Sequence, residues 1–191
     1  MKAFGNIAKD GQVRAVASGA LTNGKAVIVN ADGTVSVAGI GAASIGSATK
    51  WVAAEVQYPS IAYDSNSDRV VIAYRNSSSG DNGFAVVGTV SGTSISFGTP
   101  VSFNSGSSST NWTSTTFDSN SNKIVISYQD GGNSSYGTAI VGTVDPSDNS
   151  ISFGTEVVFN SGNSDHISST FDSSANKVII AYRDQGNSSH G

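Results

Sequence analysis

"FDSNSNKIVISYQDGGNSSYG", Phe117 to Gly137, decides the fold, because the chain writes it three times. A first version is "YDSNSDRVVIAYRNSSSGDNG", Tyr63 to Gly83, and a last one is "FDSSANKVIIAYRDQGNSSHG", Phe171 to Gly191. Asp64, Asp118 and Asp172 stand 54 residues apart, as do Tyr74, Tyr128 and Tyr182, and Gly83, Gly137 and Gly191. The flanks repeat as well: "GTVSGTSISFGTPVSFNSG" (Gly88 to Gly106) returns as "GTVDPSDNSISFGTEVVFNSG" (Gly142 to Gly162). Extra residues in the "DPSDNS" turn are offset by a shorter loop before the next copy. Indels confined to loops under a constant period predict one supersecondary unit per repeat.

Each unit reads as four strands. In the second copy strand a is "TSTTF", strand b "KIVISYQ", strand c "GTAIVGTV" and strand d "SISFGTEVVF". The a–b connection, "DSNSNK", is a tight polar turn whose leading Asp can accept hydrogen bonds from N–H groups two or three residues on. Strand b is nearly continuously apolar (Val70, Val71, Ile72 and Ala73 in the first copy), so both of its faces are expected to be covered. Strand d alternates. A bulge or kink at Gly154-Thr155 is expected to leave Ile151, Phe153, Val157 and Phe159 on one side.

A single four-stranded sheet cannot bury both faces, so such a unit needs neighbours, as the blade of a β-propeller does. Upstream, "GSATKWVAAEVQYPSIAYD" (Gly46 to Asp64) aligns with "GTEVVFNSGNSDHISSTFD" (Gly154 to Asp172), with Trp51 in the place of Phe159. Residues 46–53 therefore read as a lone d strand, and the array runs d, abcd, abcd, ab. Either several subunits close a ring or the chain is the front of a longer array; the final ab favours the second. Residues 1–45 differ in kind. "VRAVASGALTNGKAVIVNADGTVSVAGI" predicts three short strands with a hairpin at "NADGT". So small a segment has little core of its own and is expected to dock on another surface. The expectation is an all-β chain: a small N-terminal β module, 1–45, then a β-propeller-like array of four-stranded repeats, 46–191, incomplete in this chain and anchored at Asp64, Asp118 and Asp172.

Composition agrees. Hydrophobic residues make up 37% and charged residues 13%, and Ser, Asn, Gly and Thr fill the difference, which suits short strands and turns rather than helices. With no cysteine, neither a disulfide framework nor a Cys-based zinc site is available. "MKAFGNIAKDGQVRAV" has no apolar h-region, and no apolar run has the length of a bilayer span. A soluble protein is expected, cytoplasmic or released by a route other than classical secretion. Net charge is −4, but residues 1–50 carry five basic against two acidic groups and the rest five against twelve. That split suits two segments with different partners, and chance produces such splits too. An acidic array without a basic stripe argues against nucleic acid.

The "ASGALTNGKAVIVNADGTVSV" opening followed by "VVIAYRN", "GTAIVGTV" and "SISFGTEVVF" copies resembles virion structural proteins of tailed phages, those of marine bacteria in particular. The opening alone is similar to small capsid-decorating proteins. The resemblance covers residues 46–191 by the repeat and about 30 residues of the N-terminal segment. It implies a virion location, in head or tail fibre or in capsid decoration. It also implies other virion proteins as partners through residues 1–45, and multiple copies or a homo-oligomer. The lack of a signal peptide fits a component assembled in the host cytoplasm and released by lysis.

Catalytic groups are sparse. The two histidines are His166 and His190, the serines lie in loops without a G-x-S-x-G elbow, and the acids fall mostly at equivalent turn positions. A glycosidase needs two convergent carboxylates, which only a meeting of blades could supply. Arg75 and Arg183 are equivalent, but Gln129 interrupts the series and argues against an arginine-cluster anion site. "DSNSD" (Asp64 to Asp68) has calcium-loop spacing, yet lacks the following glycine and distal glutamate, and its copies drift to "DSNSN" and "DSSAN". A hairpin turn is the better reading. No enzyme, cofactor or metal site is expected.

Two variable sets stand out within the constant frame. Six residues before each anchoring Asp come Tyr58, Trp112 and His166; one residue before each b–c glycine come Asn82, Tyr136 and His190. The first set is placed in the d–a loop at the start of strand a. The d–a and b–c loops of a meander share one end of the sheet, so both sets should share one face. Aromatic rings beside Ser, Asn and Asp suit sugar recognition; the competing reading has them plugging the seam between blades. Three functions follow. The first is a virion structural protein displaying the array outward for adhesion to host-surface glycan. The second is a non-viral bacterial carbohydrate-binding propeller module, and the third a glycan-degrading enzyme.

Overall fold

The computed structural model describes residues 16–17, 27–30, 34–37, 46–104 and 109–191. The chain divides into two parts, Met1–Ile45 and Gly46–Gly191. In the first, β1 (Val16–Ala17), β2 (Val27–Val29) and β3 (Thr34–Val37) form a sheet in the order β1-β3-β2. β1 runs parallel to β3, and β2 pairs antiparallel with it. The Asn30 amide donates to the Thr34 carbonyl at 2.8 Å, closing the hairpin expected at "NADGT". Residues 31–33, with the Asp-Gly pair itself, lie outside the described residues.

The second part is all-β and built of tandem propeller-like blades. Blade 1 has strand a as β4 (Val56–Asp64), strand b as β5 (Arg69–Asn76) and strand c as β6 (Asn82–Ser91), with strand d split into β7 (Ser94–Phe97) and β8 (Val101–Asn104). Blade 2 repeats this with β9 (Thr110–Asp118), β10 (Lys123–Asp130), β11 (Tyr136–Asp145) and β12 (Ser150–Phe153). Its strand d continues into the start of β13 (Val157–Asp172), whose later residues are strand a of blade 3 and pair with β14 (Lys177–Asp184). All pairings within blades are antiparallel.

The a–b turns close as the sequence predicts. Asp118 Oδ1 accepts from the amides of Asn120 (2.9 Å) and Ser121 (3.1 Å), and Oδ2 accepts from the Ser121 hydroxyl at 2.7 Å. Asp64 makes the same three bonds and Asp172 the two amide bonds. Burial opposes ionisation of Asp118, but the hydroxyl and both amides outweigh it and hold its carboxyl below the usual value.

Two readings of the sequence need correction. Residues 46–53 form no strand, because no strand c of their own lies beside them; Trp51 nevertheless packs edge-on against Tyr74 with centroids 4.8 Å apart. The kink in strand d also does the reverse of what was expected. Phe153 pairs with Gly142, but Val157 pairs with Ala139, so three residues of strand c are spanned by four of strand d. One extra residue reverses the in–out parity. Ile151 and Phe153 consequently pack toward blade 1, and Phe159 packs toward blade 3 on Tyr182 at 5.2 Å.

That reversal lets one strand serve two neighbours. Phe103, on the second half of strand d of blade 1, meets Tyr128 of blade 2 at 5.2 Å and Phe153 at 5.8 Å. Trp51–Tyr74, Phe103–Tyr128 and Phe159–Tyr182 are thus one contact repeated. The glycine at the second position of strand c is constant for the same reason: a Cβ on Gly83 would lie 2.5 Å from Phe103 Cε2, and one on Gly137 would press on Phe159 Cε2 more closely still. Nearer the a strands, hydroxyls replace rings. Ser60 Oγ meets Thr115 Oγ1 at 2.7 Å, and the equivalent Ser114 meets Ser169 at 2.9 Å. The Ser/Thr-rich composition is therefore partly a seam between blades.

Candidate functional site

Strand a carries a bulge in every blade. Gln57 pairs with Arg75 and Ser60 with Ala73, so Tyr58 and Pro59 together oppose Tyr74. Trp112 and Thr113 oppose Tyr128 in the same way, and His166 and Ile167 oppose Tyr182. The first residue of each bulge takes a left-handed backbone: φ is 49° at Tyr58, 55° at Trp112 and 50° at His166. None is glycine, so each bulge carries a cost of about 1–2 kcal/mol. These residues lie inside strand a and not in the d–a loop where the sequence had placed them.

The bulges bring the three side chains together. Tyr58 and Trp112 have centroids 5.2 Å apart at a tilt of 46°, and Trp112 stacks on His166 at 4.3 Å and 22°. The Arg75 guanidinium lies over the Tyr58 ring, 5.3 Å from its centroid. A row of rings thus crosses both blade seams. Trp112 spends its contacts on rings to either side, and His166 is the most exposed member of the row, with 56% of its side chain accessible.

Beside the rings runs a hydrogen-bonded polar row from the positions just before the bulge and at the end of strand b. Arg75 donates to Gln57 and, through Nη1, to Asn111 Oδ1 at 2.5 Å. Asn111 Nδ2 donates to Gln129 Oε1 (2.8 Å), Gln129 Nε2 to Asn163 Oδ1 (2.9 Å) and Asn163 Nδ2 to Gln185 Oε1 (3.2 Å). Gln185 donates in turn to Asp165, which Arg183 grips through two bonds of 2.7 and 2.6 Å. The Arg183 guanidinium holds the buried Asp165 carboxyl far below the carboxylate range despite burial, with lesser help from His166 and Gln185. Both arginines are occupied: Arg183 by Asp165, and Arg75 by its amide partners and by Asp81, 3.3 Å from its Nε.

Asn82 and Tyr136 open strand c, paired with Asn76 and Asp130, and His190 holds the equivalent place in an isolated bridge to Asp184. Arg75 pairs with Gln57 on one side and Gly83 on the other, which puts this set at the same end of the blade as the rings. The second set does not join the row; among the described residues neither Tyr136 nor His190 enters a ring contact. The His190 ring donates from Nδ1 to the Asn187 carbonyl at 2.7 Å. The two residues preceding each have positive φ: Gly80 and Asp81, Ser134 and Ser135, Ser188 and Ser189.

Two series that the sequence reading did not single out shape this end. Gln57, Asn111 and Asp165 contribute to the polar row beside Arg75, Gln129 and Arg183. Asn76, Asp130 and Asp184 hold the b–c loops, accepting from the amides of Ser78 (3.0 Å), Gly132 (3.0 Å) and Gly186 (2.8 Å). Both series keep the 54-residue spacing and were visible as such, but their members vary between amide and acid. Among the described residues no cluster of three or more metal-ligating side chains forms, and no helix is long and apolar enough to cross a membrane.

The fold and this end face define the class: an all-β tandem-repeat protein whose propeller-like blades present a row of rings and amides. Comparison with family models, with curated proteins and with solved structures returns no match.

Proposed function

We propose that the chain is a non-catalytic structural protein of a tailed-phage virion. On this reading residues 1–45 attach it to capsid or tail, and the blades are displayed outward for adhesion to host-surface glycan. The observation that carries the structural reading is the threefold contact Trp51–Tyr74, Phe103–Tyr128 and Phe159–Tyr182. The most constant residues of the repeat are consumed in stacking blade on blade, as a display scaffold requires. The phage setting rests on the resemblance of the repeat and the opening segment. Electron microscopy and mass spectrometry of purified particles test it. The expected result is this chain at stoichiometric copy number, with blades projecting from head or tail; its absence from particles defeats the proposal.

A carbohydrate-binding module acting without a virion is the second reading. It is supported by the Tyr58–Trp112–His166 row, with His166 exposed, beside hydrogen-bonding amides, and by Tyr136 and His190 at the same end. A glycan array with Tyr136→Ala and His190→Ala variants tests the adhesive surface. Binding that is lost in the variants supports a glycan site at this end, and binding unchanged in both removes it.

A further inference from the structure

The polar row beside the rings has a direction. Arg75 carries only donors, and its Nη1 donates to Asn111 Oδ1 at 2.5 Å. Asn111 then donates to Gln129, Gln129 to Asn163 and Asn163 to Gln185, at 2.8, 2.9 and 3.2 Å. Gln185 donates to Asp165, where the row ends. The Asp165 carboxylate, gripped by Arg183, offers only acceptors. Four amides therefore stand in series between a guanidinium on blade 1 and a carboxylate on blade 3. An amide turned over exchanges its oxygen and its NH2, and alone in the row it would face donor with donor on one side and acceptor with acceptor on the other. Only two arrangements bond every amide to its neighbours: all pointing one way, or all pointing the other. Reversal sets an NH2 against the Arg75 guanidinium and an oxygen against the Asp165 carboxylate, so both ends oppose it. Both ends are sheltered, with 15% of the Arg75 side chain and 5% of that of Asp165 exposed, where an unmade hydrogen bond is costly.

We propose that Arg75 and Asp165 are the two poles of one reversible hydrogen-bond chain, which sets the donor–acceptor pattern of this end face across all three blades as a unit. The row is a two-state element whose second state both poles suppress. A change of charge in one blade is carried by the intervening amides to a blade it does not touch. The relay runs from β5 of blade 1 through Asn111 and Gln129 of blade 2 and enters blade 3 by Asn163 and Gln185.

Asn111→Asp and Asp165→Asn, made singly and together and unfolded in urea, test this. Asn111→Asp turns an acceptor toward Gln129, so the three remaining amides lie between two groups that only accept. Adding Asp165→Asn supplies a donor at the far end, and Gln185, Asn163 and Gln129 can then reverse together with every bond kept. The double variant is expected to exceed the stability that the single effects sum to, by about fivefold or more in the folding equilibrium constant. Repeating the cycle with Asn163→Ala in every member separates the relay from direct repulsion between carboxylates at positions 111 and 165. With the chain cut, the excess is expected to vanish. Strict additivity in the uncut row, or an excess that survives the cut, overturns the proposal. A second measurement uses the wild type alone. In nuclear magnetic resonance spectra, Asn111, Gln129, Asn163 and Gln185 are each expected to hold one slowly exchanging side-chain N–H; fast exchange of both protons at any of the four overturns the fixed direction.

Discussion

Trp112 and His166, 54 residues apart in the chain, stack with ring centroids 4.3 Å apart because each begins a bulge opposite a tyrosine of strand b. The backbone is bent to make this contact. Trp112 holds φ at 55°, a conformation that favours glycine, and the ring contacts on both sides, tilted with Tyr58 and stacked with His166, offset the strain.

Substitutions at Trp112 should therefore invert the usual ranking of strand residues. Trp112→Ala removes two ring contacts and keeps the backbone cost, for a loss of about 2–3 kcal/mol. Trp112→Gly removes the same contacts and relieves the cost, so it should be more stable than the alanine variant by about 1 kcal/mol. Urea unfolding of the two variants decides it, and an alanine variant equal to or better than glycine refutes the strained-bulge account.

The blade was legible in the sequence because its strands, its Asp turn and its constant tyrosine recur at one period, and repetition reports structure even without strong local propensity. The bulges were not. A bulge changes side-chain parity through one extra residue, and in strand d that residue lies in "GTE", whose small and polar side chains fit either parity. In strand a the left-handed positions are Tyr, Trp and His, which carry no turn signal. The same gap hid the end face. Tyr58, Trp112 and His166 could be picked out for varying within the repeat, but their meeting across two seams depends on backbone geometry that the sequence does not mark.

Acid should expose the contribution of Asp165. Its carboxyl titrates well below the unfolded value of about 3.9 because Arg183 grips the ionised form. A lowered folded pKa gives stability that is fully present above the unfolded value and is lost as pH falls through the folded one. Asp165→Asn should thus melt below the wild type near neutral pH, with a gap that narrows as pH drops below about 4. Melting curves of both proteins across that range measure it. A gap that is constant with pH excludes the ion pair as its source.

The a–b turn separates two roles of one carboxylate. Asp118→Asn keeps an Oδ1 that can accept from the Asn120 and Ser121 amides, while Asp118→Ala keeps none. The asparagine variant is expected within about 0.5 kcal/mol of wild type and the alanine variant about 1 kcal/mol below it. Calcium should change neither melting temperature. A calcium-dependent rise in the wild type that Asp118→Asn abolishes would show an ion in the turn instead.

Gly83 and Phe103 should behave as one unit. A Cβ at position 83 would fall 2.5 Å from Phe103 Cε2 and 2.9 Å from Thr110 Oγ1, and Phe103 cannot yield easily because Tyr128 and Phe153 pack around it. Gly83→Ala alone is expected to cost about 1–3 kcal/mol through overpacking, and Phe103→Leu alone about 1 kcal/mol or more through lost ring contacts. Together they should cost less than their sum by about 1 kcal/mol, since leucine leaves room where the ring edge stood. A double-mutant cycle by urea denaturation measures the coupling. Strict additivity would separate the constant glycine from the inter-blade ring contact. It would then be the hydroxyl of Thr110, the other atom pressed against Gly83, that keeps alanine out.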